Sequence, residues 1–414
     1  MKKIIKNIAE LIQVEDNPKI WVAGKEMSSL KTIKDAFLEI ENGKIIDFGS
    51  MNEWKGVEDW NKTEIIDAKG GMVFPSYCDS HTHLVFAKNR EKEFIDKING
   101  LSYQEIANRG GGILNSVEAL RDMPEDELYE ISLNRLNEVI KLGTGAIEIK
   151  TGYGLSMDSE LKILRVIQRL KEESKATIKS TLLAAHAVPN EYKGDKESYL
   201  NLVINEILPE AVKNKLIDYI DIFCEKNYFS VNDMNRLLIA AKEFNIKAKV
   251  HVNQFNSIGG VSESVKQNAL SVDHLEVMKE EDFKSLDDSN CMPTALPGCS
   301  FFLGISYTPA REIIDKGLPL ALASDYNPGS SPSGNMNFIS SLGCIKLKMN
   351  PEEVINSTTI NSAYAMDLSE SLGSISKGKK ANLFITKPIS TYSYLAYNFS
   401  NNLIDKIILE GELL

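Results

Sequence analysis

The amino-acid sequence predicts an α/β protein: a parallel (β/α)8 TIM barrel carrying a small β-sandwich formed by both chain termini. Three observations predict it. Eight short apolar runs alternate with amphipathic helical segments through the middle of the chain. The two ends read instead as short β-prone runs separated by turns. All five histidines of the 414 residues, His81, His83, His186, His251 and His274, end or close an apolar run, which is where such barrels gather their reactive groups.

Taken in order, residues 1–70 contain strand candidates at Ile20–Val22, Ala36–Ile40, Ile45–Phe48 and Glu64–Ala68, with Glu41-Asn42-Gly43-Lys44 as a turn and Gly70-Gly71 as the exit. From about Leu372 the same texture returns at Ala381–Thr386 and Asp405–Leu409, closing on Gly411. Residues 1–70 and 372–414 are therefore expected to form one sandwich, and 71–371 the barrel. The barrel strands are expected at Val73–Asp79, Ala146–Lys150, Ser180–His186, Ile217–Phe223, Ile246–Asn253, Leu270–His274, Cys291–Leu296 and Leu318–Asp325. Helical spacing of apolar residues marks Pro124–Leu142, Asp158–Glu173, Val231–Phe244 and Ser262–Gln267 between them. The stretch from Leu84 to Gly145 exceeds a single crossover helix. It carries Arg90, Tyr103 and the Gly110-Gly111-Gly112 turn, and is expected to close over the site as a loop. No Gly-Lys-Ser/Thr follows those glycines, so they do not make a phosphate loop.

Composition excludes several function classes. A net charge of -11 and a pI near 5.2 offer nothing to a phosphate backbone, so nucleic acid is not an expected partner. The five cysteines, Cys78, Cys224, Cys291, Cys299 and Cys344, are scattered without a C-x-x-C pair, which suits a reducing compartment and argues against a disulfide framework. Met1-Lys2-Lys3-Ile4-Ile5 begins like a signal segment, but Lys6, Asn7 and Glu10 interrupt the apolar stretch. No apolar run reaches membrane-spanning length. The expectation is a soluble cytoplasmic protein with no membrane partner.

The chemistry concentrates in Cys78-Asp79-Ser80-His81-Thr82-His83. Alternate side chains of a strand point to one side, so His81 and His83 can present both imidazoles to one cavity. Ala321-Leu322-Ala323-Ser324-Asp325 adds a carboxylate at the exit of the last strand. An Asp before the Pro/Gly/Ser turn of 326–332 is equally a good turn initiator. Read together with the histidines, however, it completes a metal site: three imidazoles and one carboxylate can hold a divalent zinc or iron and leave a position for water. The implied reaction class is hydrolysis. By position alone all five histidines are candidate ligands.

His-x-His after an apolar strand, single histidines closing the fifth and sixth strands and Asp closing the eighth resemble the amidohydrolase superfamily, over essentially the whole chain. The likeness is strongest to the members that open the ring of 4-imidazolone-5-propanoate, giving N-formimino-L-glutamate in histidine degradation. It is carried by Asp79–Phe86, Gly110–Ile113, Lys150–Leu155, Ala185–Pro189, Asp273–Glu276, Leu296–Gly298 and Asp325–Pro332. The resemblance implies His81, His83, His251 and Asp325 as metal ligands. It also implies that Arg90, Tyr153, His186 and Ser330 hold the substrate with Gln254 beside them, while Asn327 and Gly329 contact the product. A propionate carboxylate calls for a two-pronged guanidinium, which Arg90 supplies. A homodimer is likewise expected from the resemblance.

Two departures shape the assignment of roles. His251 is followed by Val252-Asn253-Gln254, and the Gln254 amide has no useful pKa, so it cannot be a base. Proton removal from water is therefore given to Asp325. His274 is expected to orient the water or protonate the leaving nitrogen, and His186 to assist. The fourth strand ends Phe223-Cys224-Glu225 rather than in a bridging lysine, which favours one metal ion, with Lys226 the nearest alternative. The competing readings are a ring aminohydrolase, disfavoured by Gln254, and a non-catalytic scaffold, disfavoured by the complete ligand set.

Overall fold

The computed structural model describes residues 2–101, 105–106, 109, 111–399 and 401–414; Tyr103 and Gly110 of the excursion lie outside the described residues. The chain opens with β1 (Lys2–Ile12), β2 (Thr32–Glu41), β3 (Lys44–Ser50), β4 (Thr63–Asp67) and β5 (Val73–Pro75). Eight barrel strands follow: β6 (Tyr77–Asp79), β7 (Thr144–Lys150), β8 (Thr177–Ala185), β9 (Tyr219–Cys224), β10 (Lys247–Val252), β11 (Ser271–His274), β12 (Met292–Ala295) and β13 (Ala321–Leu322). The chain closes with β14 (Leu383–Thr386), β15 (Ile404–Leu409) and β16 (Glu412–Leu413).

Strands β6 to β13 pair in sequence order, all in parallel. The first and last are joined past their ends. Asp325 N–H donates to the His81 carbonyl at 3.0 Å, and His83 N–H to the Tyr326 carbonyl at 2.8 Å. The barrel is thereby closed where the site lies. Parallel strands covered on both faces run apolar throughout, and β7 to β9, except at the rim of β8, are buried along their length. Helices pack outside; that of Val231–Glu243 starts at a capping box in which Ser230 Oγ accepts from Asp233 N–H and Asp233 accepts from Ser230 N–H.

The remaining strands form one folded sheet in the order β16-β15-β14-β5-β1-β2-β3, with β4 also on β1. It encloses its own core, including Ile5, Leu11, Leu38, Val73, Ile385 and Ile408, each worth about 1.5–3 kcal/mol when fully buried. Strand β1, its centre, was not expected: Lys3 and Lys6 mask it, and a bulge between Ile5 and Ile8 interrupts its alternation. Ile20–Val22 is not a strand. It lies against the barrel, with Val22 N–H donating to Asn361 Oδ1 and Trp21 edge-on to Tyr364. The expected single strand Val73–Asp79 is two, β5 in the terminal sheet and β6 in the barrel, parted at Ser76, whose N–H goes to the Asn382 carbonyl.

Among the described residues the long excursion contains α1 (Glu91–Ile98), α2 (Ile113–Asp122) and α3 (Glu125–Lys141). The helix expected at Pro124–Leu142 is α3, whereas α1 and α2 stand where a loop was expected; apolar residues of α2 and α3, such as Val117, Leu120, Leu128 and Leu136, pack into the main core. Among the described residues no helix is long and apolar enough to cross a membrane.

Candidate active site at the strand ends

The strand ends bring all five histidines together. His81 lies 4.4 Å from His251, 5.4 Å from His83 and 5.8 Å from His274, centroid to centroid, and His186 stacks on His83 at 5.3 Å. His83, His186, His251, His274 and Asp325 line one cavity with Arg90, Tyr153, Gln254, Asn327 and Ser330. His81 lies fully buried beside them. Two site residues sit at positive φ, His274 at 89° and Asp325 at 53°. Such backbone is unfavourable for side-chain-bearing residues and is held here by the surrounding strands.

Hydrogen bonds from below aim the rings. Asp273 Oδ2 is 2.7 Å from His81 Nδ1, and Asp221 Oδ2 is 2.7 Å from His251 Nδ1. A carboxylate on Nδ1 fixes the proton there and leaves Nε2 as the free lone pair. His81 Nε2 is buried without a hydrogen-bond partner among the described residues and lies 3.6 Å from Asp325 Oδ1, with His83 Nε2 3.7 Å from the same oxygen. Donor atoms so spaced, all within 4.8 Å in the groups His81/His83/Asp325 and His81/His251/His274, suit a shared divalent metal ion. Burial first, and then neighbouring Lys150 and histidines, hold His81, His83 and His251 well below the ordinary imidazole value. This direction favours the neutral ring that metal ligation requires.

The other two histidines differ. Burial lowers His186 to about 4, and its Nδ1 lies 3.1 Å from the Gly152 carbonyl, so a neutral ring turns Nε2 away from that bond. For His274 burial is outweighed by Glu276, 3.3 Å from Nδ1, and by Asp325, which raise it above the usual value. Burial pushes Asp325 up to about 6, against the lowering influence of His274 and Asn327.

Arg90 is buried at the cavity wall; its Nε and Nη1 have no hydrogen-bond partner among the described residues, and Glu93 stands 3.7 Å from Nη1. Gln254 Nε2 donates to Cys299 Sγ at 3.3 Å. Asn327 spends its amide within its own turn: Nδ2 donates to the Asp325 carbonyl and to Ser330 Oγ, and Oδ1 accepts from Gly329 and Ser330 N–H. Gly329 backs directly onto Arg90. Tyr153 sits 5.7 Å from His186, in a turn whose Gly152, Gly154 and Leu155 N–H groups all converge on buried Glu160. Lys226 is elsewhere, on a separate cavity of about 900 Å³ with Leu114, Glu118 and Tyr228.

Sequence reasoning missed the charged floor. Glu148 and Lys150 on β7, Asp221 on β9, Lys249 on β10 and Asp273 on β11 are all fully buried. Lys150 Nζ is 2.8 Å from Glu148, 2.9 Å from Asp221 and 3.6 Å from Asp273. The available signal was a charge inside an apolar parallel strand, as in Tyr219-Ile220-Asp221-Ile222, since such groups are rarely buried without a partner.

Comparison with known proteins agrees with this geometry. The amidohydrolase family profile matches residues 72–414. Imidazolonepropionase of Christiangramia forsetii is 59% identical over 414 residues, covering 100% of both chains, and that of Flavobacterium johnsoniae 56% over the same span. Imidazolonepropionase of Alkaliphilus oremlandii is 39% identical, covering 99% of this chain and 97% of its own. Among solved structures, guanine deaminase of E. coli superposes with a TM-score of 0.76 at 15% identity, covering 100% of this chain and 99% of its own, which speaks to the fold alone. The chain belongs to the amidohydrolase family and, within it, to the imidazolonepropionases.

Proposed function

We infer that this enzyme hydrolyses the cyclic amide bond of 4-imidazolone-5-propanoate to N-formimino-L-glutamate, the ring-opening step of histidine degradation, using the residues gathered at the strand ends. The observation that carries the reading is the buried guanidinium of Arg90 at the cavity wall, whose Nε and Nη1 have no hydrogen-bond partner among the described residues. A carboxylate is the group that satisfies such a fork, and the propionate arm is one.

His81, His83, His251 and Asp325 are assigned to hold the metal: carboxylates on Nδ1 aim the first and third, Nε2 of the first two lies within 3.7 Å of Asp325 Oδ1, and His274, raised by Glu276, is the ring disposed to carry a second proton instead. A zinc or iron ion bound there supplies Lewis acidity, acidifying a water and polarising the ring carbonyl. Asp325, with its carboxyl pushed up to about 6, takes the proton from the attacking water. His274, paired with Glu276, delivers a proton to the ring nitrogen as the C–N bond breaks. His186 accepts from a ring N–H through Nε2, while Tyr153, Gln254 and Ser330 hold the ring and its carbonyl edge. Asn327 shapes the turn that presents Gly329 and Ser330 to the product.

The test is turnover of freshly generated 4-imidazolone-5-propanoate by purified protein of known metal content, followed by loss of ultraviolet absorbance. Metal-dependent formation of formiminoglutamate, abolished by Asp325→Ala, is expected. No turnover by protein carrying one metal per chain overturns the substrate assignment.

A further inference from the structure

Resting on the ligand assignment above, we propose that Lys150 is a positioning residue of the active site: its buried ammonium ties together the two carboxylates that aim His81 and His251. Asp221 Oδ2 lies 2.9 Å from Lys150 Nζ and 2.7 Å from His251 Nδ1. Asp273 Oδ2 lies 3.6 Å from the same nitrogen and 2.7 Å from His81 Nδ1. One cation therefore touches the oxygens that orient two ligands arriving from opposite parts of the sequence. Lys150, Asp221, Asp273 and His81 are fully buried, so bulk solvent does not screen these contacts.

The placement follows from the strands. Lys150 ends β7 and crosses the barrel interior to reach β9 and β11, while Glu148, two residues earlier on the same face, steadies it at 2.8 Å. Without Lys150, Asp221 and Asp273 would face each other's charge in a dry interior, and each would be free to protonate or turn away from its histidine. The charge count gives a second reason. The floor holds two ammonium groups, Lys150 and Lys249, against three carboxylates, Glu148, Asp221 and Asp273. Asp325 adds a further negative charge above it, where a divalent cation is favoured.

Lys249 provides the internal control. It is equally buried, but donates to Ser271 Oγ and the Ala365 carbonyl and faces Glu148 at 3.3 Å, reaching Asp273 only through Ser271 Oγ, which donates to Asp273 Oδ1 at 2.7 Å.

The experiment strips the full chain of metal, refills it with zinc, and measures zinc affinity by competition with a chromophoric chelator, alongside kcat and KM. Lys150→Met is expected to weaken zinc binding about 10–100-fold, the size of effect seen when groups behind metal ligands are lost, and to lower kcat while leaving KM in place. The double variant Lys150→Met/Glu148→Gln removes one charge of each sign, guarding against loss of folding, and is expected to show the same loss. Lys249→Met is expected to lower thermal stability but to weaken zinc affinity much less than Lys150→Met, since it reaches Asp273 only through Ser271. Wild-type zinc affinity and kcat in the folded Lys150 variants would overturn the proposal, as would equal loss in Lys249→Met. If the wild-type chain takes up no zinc or iron at all, the ligand assignment itself falls, and the proposal with it.

Discussion

Gly329 gives up its side chain to the guanidinium of Arg90: a Cβ at position 329 would lie 1.9 Å from Arg90 Nη2 and 2.1 Å from Cζ. The turn after β13 and the start of the excursion before α1 thus meet at the cavity wall, and the fit between them sets where a carboxylate can dock. Gly329→Ala must push Arg90 out of place. KM is expected to rise about tenfold or more, the value of a lost charge-assisted hydrogen bond of 1.5–3 kcal/mol, with kcat less affected. Arg90→Lys is not expected to restore binding, because a point-like ammonium lacks the fork. Steady-state kinetics on both variants decide this; an unchanged KM in Gly329→Ala would remove Arg90 from the binding site.

Metal removal should cost stability as well as activity. The neutral rings of His81, His83 and His251 and the carboxylate of Asp325 converge in the native fold alone, so the ion binds the folded state and not the unfolded one. At a free metal concentration a thousandfold above its Kd, linkage contributes about 4 kcal/mol. Chelation is expected to lower the melting temperature and abolish turnover, and zinc or iron to restore both. Identical melting curves with and without chelator would contradict it.

The role proposed for His186 gives the pH profile of substrate binding a signature. Burial lowers its pKa to about 4, so the acceptor at Nε2 is present above that value and is lost only as pH falls through it. KM should therefore show no inflection from this ring between pH 6 and 8 and should rise below about pH 5. In His186→Ala, KM is higher throughout and the acid limb disappears. A KM inflection near pH 6.5 that vanishes in this variant would show the ring to be exposed and ordinary.

Asp218 offers a stability test away from the site. Burial works against its ionised form, but Lys171, Lys179 and the Ser180 N–H outweigh it and hold its pKa below the usual carboxylate value. A depressed pKa stabilises the fold above the unfolded value of about 3.9, and the benefit fades as pH falls through the folded value. Asp218→Asn is expected to lower stability at pH 7 by an amount on the order of 1 kcal/mol, read as a lower melting temperature, and to make no difference at pH 2. Equal destabilisation at both values would assign the effect to packing.

The barrel was legible because its signals are local. Each apolar run from Thr144 to Leu322 is short, β-prone and followed by a helix or a turn, and period-two geometry placed His81 and His83 on one side before any contact was known. Strand β1 was illegible for the opposite reason: its lysines reach out to Glu39, Glu64 and Glu412 from other strands, and those partners are far away in sequence. The same holds at Val73–Asp79, where one apolar run serves two sheets and only pairing with β14 or β7 assigns its halves.

From the sequence alone the reaction class could be read, since five histidines at strand ends and one Asp at the last exit restrict the chemistry to a metal-assisted hydrolase. Which rings are aimed was decided by tertiary structure. The parallel register sets His251 beside Asp273 and Phe223, Asp221 reaches His251 from the neighbouring strand, and Lys150 crosses the barrel to join the two carboxylates. A buried charge declares only that it needs a partner; which partner it finds depends on the closure of the barrel, a relation among residues far apart in sequence, 192 positions in the case of His81 and Asp273.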